Sequence, residues 1–315
     1  MTWFREKLTY IGNWCAFEVA RWSARLLPPR FLFSICNAVA DLGFYLLHKP
    51  RKRLIDNLSL ALGQRLDKRE IEIVVHKCVR NLCRNFIELA LAMESFPDKI
   101  RAEIPLIGRE HLEAALTKGK GIIALSAHLG NFLLVGTRLA AEGYPVYLLV
   151  NESPGPLREL RDRYRLKIGL RTIYARPRKQ AAHELSKVLR ENGIAIVIAD
   201  EYRSGSGVHV PFFGRTVLAR RGPATLALRS VATMLPLYLI RDANKKLKLI
   251  IEPEMKLSRS GSIPADVKEN TRCVTQWVER VVRAYPDQWN WLSVHWQEAS
   301  PGPVAEDQGR YEGVA

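Results

Sequence analysis

Cysteine is scarce in this 315-residue chain, and what there is does not pair. The five, Cys15, Cys36, Cys78, Cys83 and Cys273, are odd in number and show neither C-x-x-C spacing nor a neighbouring histidine pair. That argues against a disulfide framework, leaves no metal site to expect, and points to a reducing cytoplasm. Long apolar runs are nearly missing too. Phe31 to Leu47 comes nearest, with Asp41 as its one charge in seventeen residues, at the short limit of the roughly 17–25 residues a spanning helix needs. The first residues lack the ordered basic start, short apolar run and small-residue cleavage site of a signal peptide.

Negative charge is the third deficit. Against 48 Lys+Arg stand only 32 Asp+Glu, a net charge of +16. Such a surplus calls for an anionic partner: nucleic acid, an anionic membrane surface, or acidic substrates and carriers. No nucleic acid is expected, because the chain has no aromatic-basic motif or zinc finger and its apolar N-terminal helices fit that role poorly.

Those helices are the first positive feature. Leu8, Ile11, Cys15, Val19, Trp22 and Leu26 follow helical spacing, so residues 3–27 read as an amphipathic helix with Trp3, Trp14 and Trp22 available to an interface. Pro28-Pro29 separates it from the apolar Phe31–Leu47, Pro50 is expected to end that second helix, and Arg51, Lys52 and Arg53 follow as a cytoplasmic flank would. Residues 1–50 therefore read either as buried helices or as a shallow membrane anchor. Helices over 51–62 and 67–95 follow, the second opened by an Asp67/Glu70 capping box.

From Pro105 onward strands and helices alternate. Helix 109–118 precedes strand 121–126, helix 131–142 precedes strand 145–150, a basic helix near 156–168 precedes Leu170–Tyr174, and helix 178–191 precedes strand Ile194–Ala199. The runs Met234–Ile240 and Leu247–Ile251 and a helix from Val267 to Ala284 complete the pattern. The expected class is α/β: a mixed, largely parallel sheet flanked by helices, with an N-terminal helical, membrane-associating section. Its parts are residues 1–50, a domain over 51–299 made of a helical lead-in (51–95) and an α/β core (105–299), and a disordered tail, 300–315.

Chemistry-bearing residues gather where strands end. Ile122 to Ser126 is an uncharged run followed by His128, Gly130, Asn131 and Phe132, and open α/β sheets bind ligands beyond the carboxyl ends of their strands. His128 is the candidate general base. Backbone N–H groups near Gly130 and Asn131 are candidates for holding a developing oxyanion. Ile194 to Ala199 ends similarly in Asp200, Glu201 and Arg203, and Val210-Pro-Phe212-Phe213-Gly214 reads as apolar wall or as core. Arginines from Arg158 to Arg171, Arg161 and Arg165 among them, and later Arg220 and Arg221, are either a solvated face or a grip for lipid or phosphopantetheine phosphate.

Taken together, Gly108-Arg-Glu-His111-Leu, Leu116-x-x-Gly119-x-Gly121, His128-x-Gly130-Asn131-Phe132, Asp200 with Val210-Pro-Phe-Phe-Gly214, Gly222-Pro-Ala224 and Tyr285-Pro-Asp-Gln-Trp289-x-Trp291 resemble the lipid A biosynthesis lauroyl/myristoyl acyltransferase family. The resemblance runs from about Arg51 to Trp296 and extends to the phosphatidylinositol mannoside acyltransferases of the same superfamily. It implies transfer of a fatty acyl chain, from acyl carrier protein or coenzyme A and without a further cofactor, to a hydroxyl of an anionic glycolipid at the cytoplasmic face of the inner membrane. The family's histidine maps onto His128, its asparagine onto Asn131, its arginine onto Arg165 and its later aspartate onto Asp200. The acyl groove is expected against Phe132, Phe212 and Phe213, with phosphate held by Arg161, Arg165, Arg203, Arg220 and Arg221.

One departure matters. The family places Asp or Glu five positions after its histidine, and here that position is Leu133, which neither accepts a hydrogen bond nor balances a charge. Either Glu201 or Asp200 takes over, Glu201 being the favoured choice, or the histidine acts unsupported, or the chain binds glycolipid or acyl carrier without turnover. His295 is a smaller departure, standing where the family usually shows an arginine.

Overall fold

The computed structural model describes residues 2–152, 154–202 and 207–296, without the side chains of residues 2–10, 13, 16, 17, 156 and 157. Arg203 and the expected tail, 300–315, lie outside the described residues.

Helices come first: α1 (Thr2–Leu26), α2 (Pro29–Leu46), α3 (His48–Leu62), α4 (Lys68–Met93) and α5 (Pro97–Glu103). The capping box forms as its spacing demands, the Asp67 side chain accepting from Glu70 N and the Glu70 side chain from Asp67 N, each at 2.8 Å. Pro50 does not end α2. The chain turns at Leu47, and Pro50 falls in the first turn of α3, where its missing N–H has no intrahelical partner to lose.

α2 is apolar on two faces. Leu32, Cys36, Ala40 and Phe44 are buried, while Phe31, Ile35, Val39, Leu42 and Leu46 are exposed. On α1, Ile11, Trp14, Val19, Trp22 and Leu26 are exposed as well. Among the described residues no single helix is long and apolar enough to cross a membrane; α2 with α3 meets that length and composition only across an 87° bend. Arg21 Nε to Glu94 Oε1 (2.8 Å) and Tyr164 Oη to Glu18 Oε1 (3.1 Å) fasten α1 to the body.

The α/β part follows as β1 (Leu106–Ile107), α6 (Arg109–Thr117), β2 (Ile122–Ser126), α7 (Val135–Ala140), β3 (Val146–Val150), α8 (Pro156–Lys167), β4 (Arg171–Tyr174), α9 (Arg178–Arg190), β5 (Ile194–Ile198), β6 (Val208–Phe212), β7 (Arg215–Ala219), α10 (Gly222–Arg229), β8 (Thr233–Arg241), β9 (Leu247–Ile251) and α11 (Ile263–Ala284). Seven strands form one sheet in the order β1-β9-β8-β2-β5-β3-β4, in which only the β8–β9 pair is antiparallel. The expected mixed, largely parallel sheet is therefore present. β2 lies at its centre, buried along its whole length: Ile122 and Ala124 face one apolar core, Ile123 and Leu125 the other. A strand covered on both faces has to be uniformly apolar, which is how this one reads in the sequence.

Several elements depart from the sequence reading. The helix expected over 131–142 opens as a 3-10 turn, Phe132–Leu134, before the short α7. β1 and α5 join the sheet and its flank where no element was expected. Finally, β6 and β7 form a separate hairpin whose two turn residues, Phe213 (φ 52°) and Gly214 (φ 74°), are both left-handed. That backbone suits a tight hairpin and ordinarily selects Asn-Gly, so Phe-Gly gave no signal. Phe213 is held there by its buried ring, by Glu279 Oε2 accepting from its N–H at 2.7 Å, and by Arg283 stacked 4.4 Å over the ring.

Candidate active site

The parallel register assembles the site. Ser126 of β2 pairs with Ile198 of β5, 72 positions apart, and the same offset two residues later sets His128 beside Asp200. Ala199 N donates to Ser126 O at 2.9 Å and carries the ladder past the strand ends. His128 Nδ1 lies 2.8 Å from Asp200 Oδ1; Oδ2 accepts from the His128 backbone N–H at 2.8 Å and from Trp289 Nε1 at 2.7 Å. Asp200 is fully buried and His128 is 22% exposed in its side chain. Burial by itself would push the Asp200 carboxyl up, but the facing imidazole and the three hydrogen bonds outweigh it and hold the group below the ordinary aspartate value. Ionised Asp200 accepts, so Nδ1 donates, and the neutral imidazole carries its lone pair on Nε2.

Asp200, not the favoured Glu201, is thus the acid on the imidazole. Side chains of adjacent residues at a strand end diverge, and Glu201 turns to Arg220, with Oε2 3.9 Å from Nε. Leu133 packs part-buried against one of the cores. Phe132 stays at the site, its ring edge-on to the imidazole at a centroid distance of 4.8 Å.

Several expected roles are corrected. The N–H groups of Gly130 and Asn131 are already spent, donating to Gln288 O at 2.8 Å and Leu239 O at 3.0 Å, so neither is available to an oxyanion. Phe212 and Phe213 are core: Phe212 packs among Tyr202, Trp289 and Trp296, and neither lines an open groove. Arg165 is committed to Glu152 (2.6 Å) and Asp162 (3.3 Å) with its side chain 14% exposed, so it braces α8 instead of reaching for phosphate. Arg161 is half-exposed at 3.4 Å from Glu152, and Arg220 and Arg221 remain accessible.

Sequence reasoning missed the support beneath this loop. Cys78, Asn81, Asn85 and Glu88 form one stripe along α4 at helical spacing, and each reaches a loop of the site. Cys78 Sγ donates to Pro286 O (3.4 Å), Asn81 Nδ2 to Asp287 O (2.8 Å) and Asn85 Nδ2 to Gly130 O (2.9 Å); Glu88 Oε2 accepts from Asn131 Nδ2 (2.8 Å). Buried Arg241 closes the network, Nε donating to Glu88 Oε1 at 2.8 Å. Gln288 binds the Arg241 backbone through both ends of its amide, at 2.8 Å each. The signal in the sequence was polar residues recurring on the apolar face of a helix, which burial forces into hydrogen bonds. Gly130 completes the packing. Its φ of 56° is left-handed, and a Cβ there would overlap Leu239 O. Gly130→Ala should destabilise the fold by about 1–3 kcal/mol, read as a lowered thermal midpoint; a midpoint equal to that of the parent would contradict the close approach.

The family model described as bacterial lipid A biosynthesis acyltransferase matches residues 1–298. A lipid A biosynthesis acyltransferase of Haemophilus influenzae is 26% identical over 263 residues, 80% of this chain and 78% of that protein. Phosphatidylinositol mannoside acyltransferases of Mycolicibacterium smegmatis and Mycobacterium tuberculosis are 26% and 27% identical over 201 and 192 residues, covering 63% and 60% of this chain and 64% and 58% of theirs. The alignment thus spans about three-fifths of the length of these mycobacterial relatives. With nearly its whole length matched and the motif histidine set at a strand end beside a buried acid, the chain belongs to the bacterial lipid A biosynthesis acyltransferase family.

Proposed function

We propose that this chain transfers a fatty acyl group from a thioester, on acyl carrier protein or coenzyme A, to a hydroxyl of an anionic glycolipid of the lipid A precursor type, at the cytoplasmic face of the inner membrane. The observation that carries the reading is Asp200 holding His128 Nδ1, an arrangement that orients an imidazole and stabilises its cation. In the reaction Nε2 takes the proton of the acceptor hydroxyl as its oxygen bonds to the thioester carbonyl carbon. The tetrahedral intermediate collapses with cleavage of the C–S bond, and the leaving thiolate recovers the proton from the imidazolium. No acyl-enzyme is required, and no G-x-S-x-G elbow supplies a nucleophile.

The exposed apolar faces of α1 and α2 and the +16 charge support a molecule lying on an anionic membrane surface. Among the described residues, Arg161, Arg220 and Arg221 are the accessible cations of the expected phosphate set. The rival reading, binding without turnover, drew on Leu133, and Asp200 on the imidazole weakens that ground.

The acid assignment gives the test. Purified full-length protein in detergent, supplied with acyl thioester and phosphorylated glycolipid, should add one acyl chain by mass spectrometry. Asp200→Asn should lower the rate about a hundredfold or more, whereas Glu201→Gln should stay within about threefold. The reverse order would move the acid to Glu201, and no transfer by folded wild-type protein would favour the binding-only reading.

A further inference from the structure

Two tryptophans of one segment after α11 satisfy their indole N–H groups in different ways. Trp291 Nε1 donates to Pro286 O at 2.8 Å, five residues back in its own segment. Trp289 reaches out of the segment, and its Nε1 donates to Asp200 Oδ2 at 2.7 Å across 89 positions. Any buried indole needs an acceptor, and Trp289 takes the acid that holds His128.

The same residue is joined to the other half of the site. Leu129 and Trp289 form an antiparallel bridge, flanked by Gly130 N donating to Gln288 O (2.8 Å) and Asn290 N donating to His128 O (3.0 Å). Residues 288–290 therefore lie antiparallel to the loop that carries His128, while the Trp289 side chain meets the acid beside it. The ring has little freedom to leave. It is fully buried, with Trp291 edge-on at 4.8 Å and Phe212 at 5.7 Å.

On Asp200 the donors divide between the two oxygens. Oδ1 faces His128 Nδ1, and Oδ2 accepts from the His128 backbone N–H and the indole. Among the described residues no arginine or lysine is paired with this carboxylate. A buried carboxylate without such a cation depends on each of its donors. The two on Oδ2 fix the carboxylate plane and leave Oδ1 to the imidazole.

We propose that Trp289 is a positioning residue: its N–H, aimed from a segment bridged to the His128 loop, holds Asp200 Oδ2 so that Oδ1 is presented to Nδ1. Its effect on transfer rests on the acyl-transfer reading above; its hold on Asp200 does not.

Trp289→Phe removes the N–H but also leaves a cavity. A second variant therefore carries benzothienylalanine at position 289 alone, an isostere with sulfur in place of the indole N–H. Both should lower kcat about tenfold to a hundredfold, the size of one hydrogen bond to a charged group, with each KM within about twofold. The isostere should melt close to wild type. In an Asp200→Asn background it should cost less than about threefold, because the carboxylate it acts through is gone. An equal loss in both backgrounds, or kcat within about threefold of wild type for the isostere alone, overturns the proposal.

Acid titration reads the same hold without turnover. Burial raises the Asp200 carboxyl, while the imidazole, the indole and the backbone N–H together keep it below the ordinary aspartate value. Losing the indole donor moves the folded value up towards the unfolded one, about 4, so less stability is lost as pH falls through that window. The other ionisable group that feels Asp200 is Tyr202, whose phenol is pushed well above its ordinary value by burial and stays neutral there. The isostere should flatten the acid limb of the stability profile in wild type and leave it unchanged in Asp200→Asn. A limb equal to that of wild type overturns the hold on Asp200. Should wild type transfer nothing, the acyl-transfer reading falls while this limb still judges Trp289.

Discussion

Acyl transfer by His128→Ala should fall by about 10²–10⁴-fold, the range a positioned general base supplies. The expectation follows from geometry: Nδ1 is held by a buried, ionised carboxylate, so the ring is fixed in direction and tautomer, and its loss removes the Nε2 that would accept the hydroxyl proton. Alanine also strips Asp200 of its imidazole partner, which confounds catalysis with stability. His128→Asn separates the two, because its amide N–H can stand near the Nδ1 position and donate to Asp200 while nothing replaces Nε2. The asparagine variant should melt close to wild type and be as inactive as alanine. Transfer within about threefold of wild type in either variant would remove His128 from the mechanism.

The largest effect on stability should come from Arg241→Met. Arg241 is buried against Glu88, and removing the cation leaves a buried carboxylate with Asn131 Nδ2 as its remaining neutral donor. Breaking a buried pair from one side costs about 3–5 kcal/mol, a large share of the 5–15 kcal/mol that holds an ordinary domain together. Adding Glu88→Leu to Arg241→Met should recover part of that loss, since it removes the stranded carboxylate, although the part-buried Arg84 then loses the negative charge it faces. Denaturation of both variants and of Glu88→Leu alone gives the coupling directly. A single-variant loss below about 1 kcal/mol would show that the pair is not what holds the loop. The network carries Gly130 and Asn131 through Asn85 and Glu88, so the double variant should remain folded yet transfer more slowly, with the change in kcat and not in KM.

Stability toward acid has a sign fixed by Asp200. Its folded value lies below the ordinary aspartate value, so its contribution is present above the unfolded value, near 4, and is lost as pH falls through the folded one. Asp200→Asn should therefore flatten the acid limb of the stability profile in that window.

Local chemistry made much of this legible in the sequence. Asp67 and Glu70 cap α4 because a capping box needs only four consecutive residues. Ile122–Ser126 and Ile194–Ile198 read as buried strands because burial on both faces demands an unbroken apolar run. The positions of His128 and Asp200 at strand ends followed from the same pattern. The choice between Asp200 and Glu201 did not, since it depends on which of two diverging side chains the neighbouring strand presents.

Sequence by itself therefore determined the class of fold, the family and the place of His128 at a strand end, all of which rest on spacing along one segment or on the order of segments. Tertiary structure decided the acid, through a parallel register joining residues 72 positions apart. It moved Phe212 and Phe213 from a groove to the core and took the N–H groups of Gly130 and Asn131 out of the chemistry by pairing them with Gln288 and Leu239. Hydrogen bonds and burial are properties of what lies across the fold from a residue, and that neighbour is set by strand order and packing, not by position in the chain.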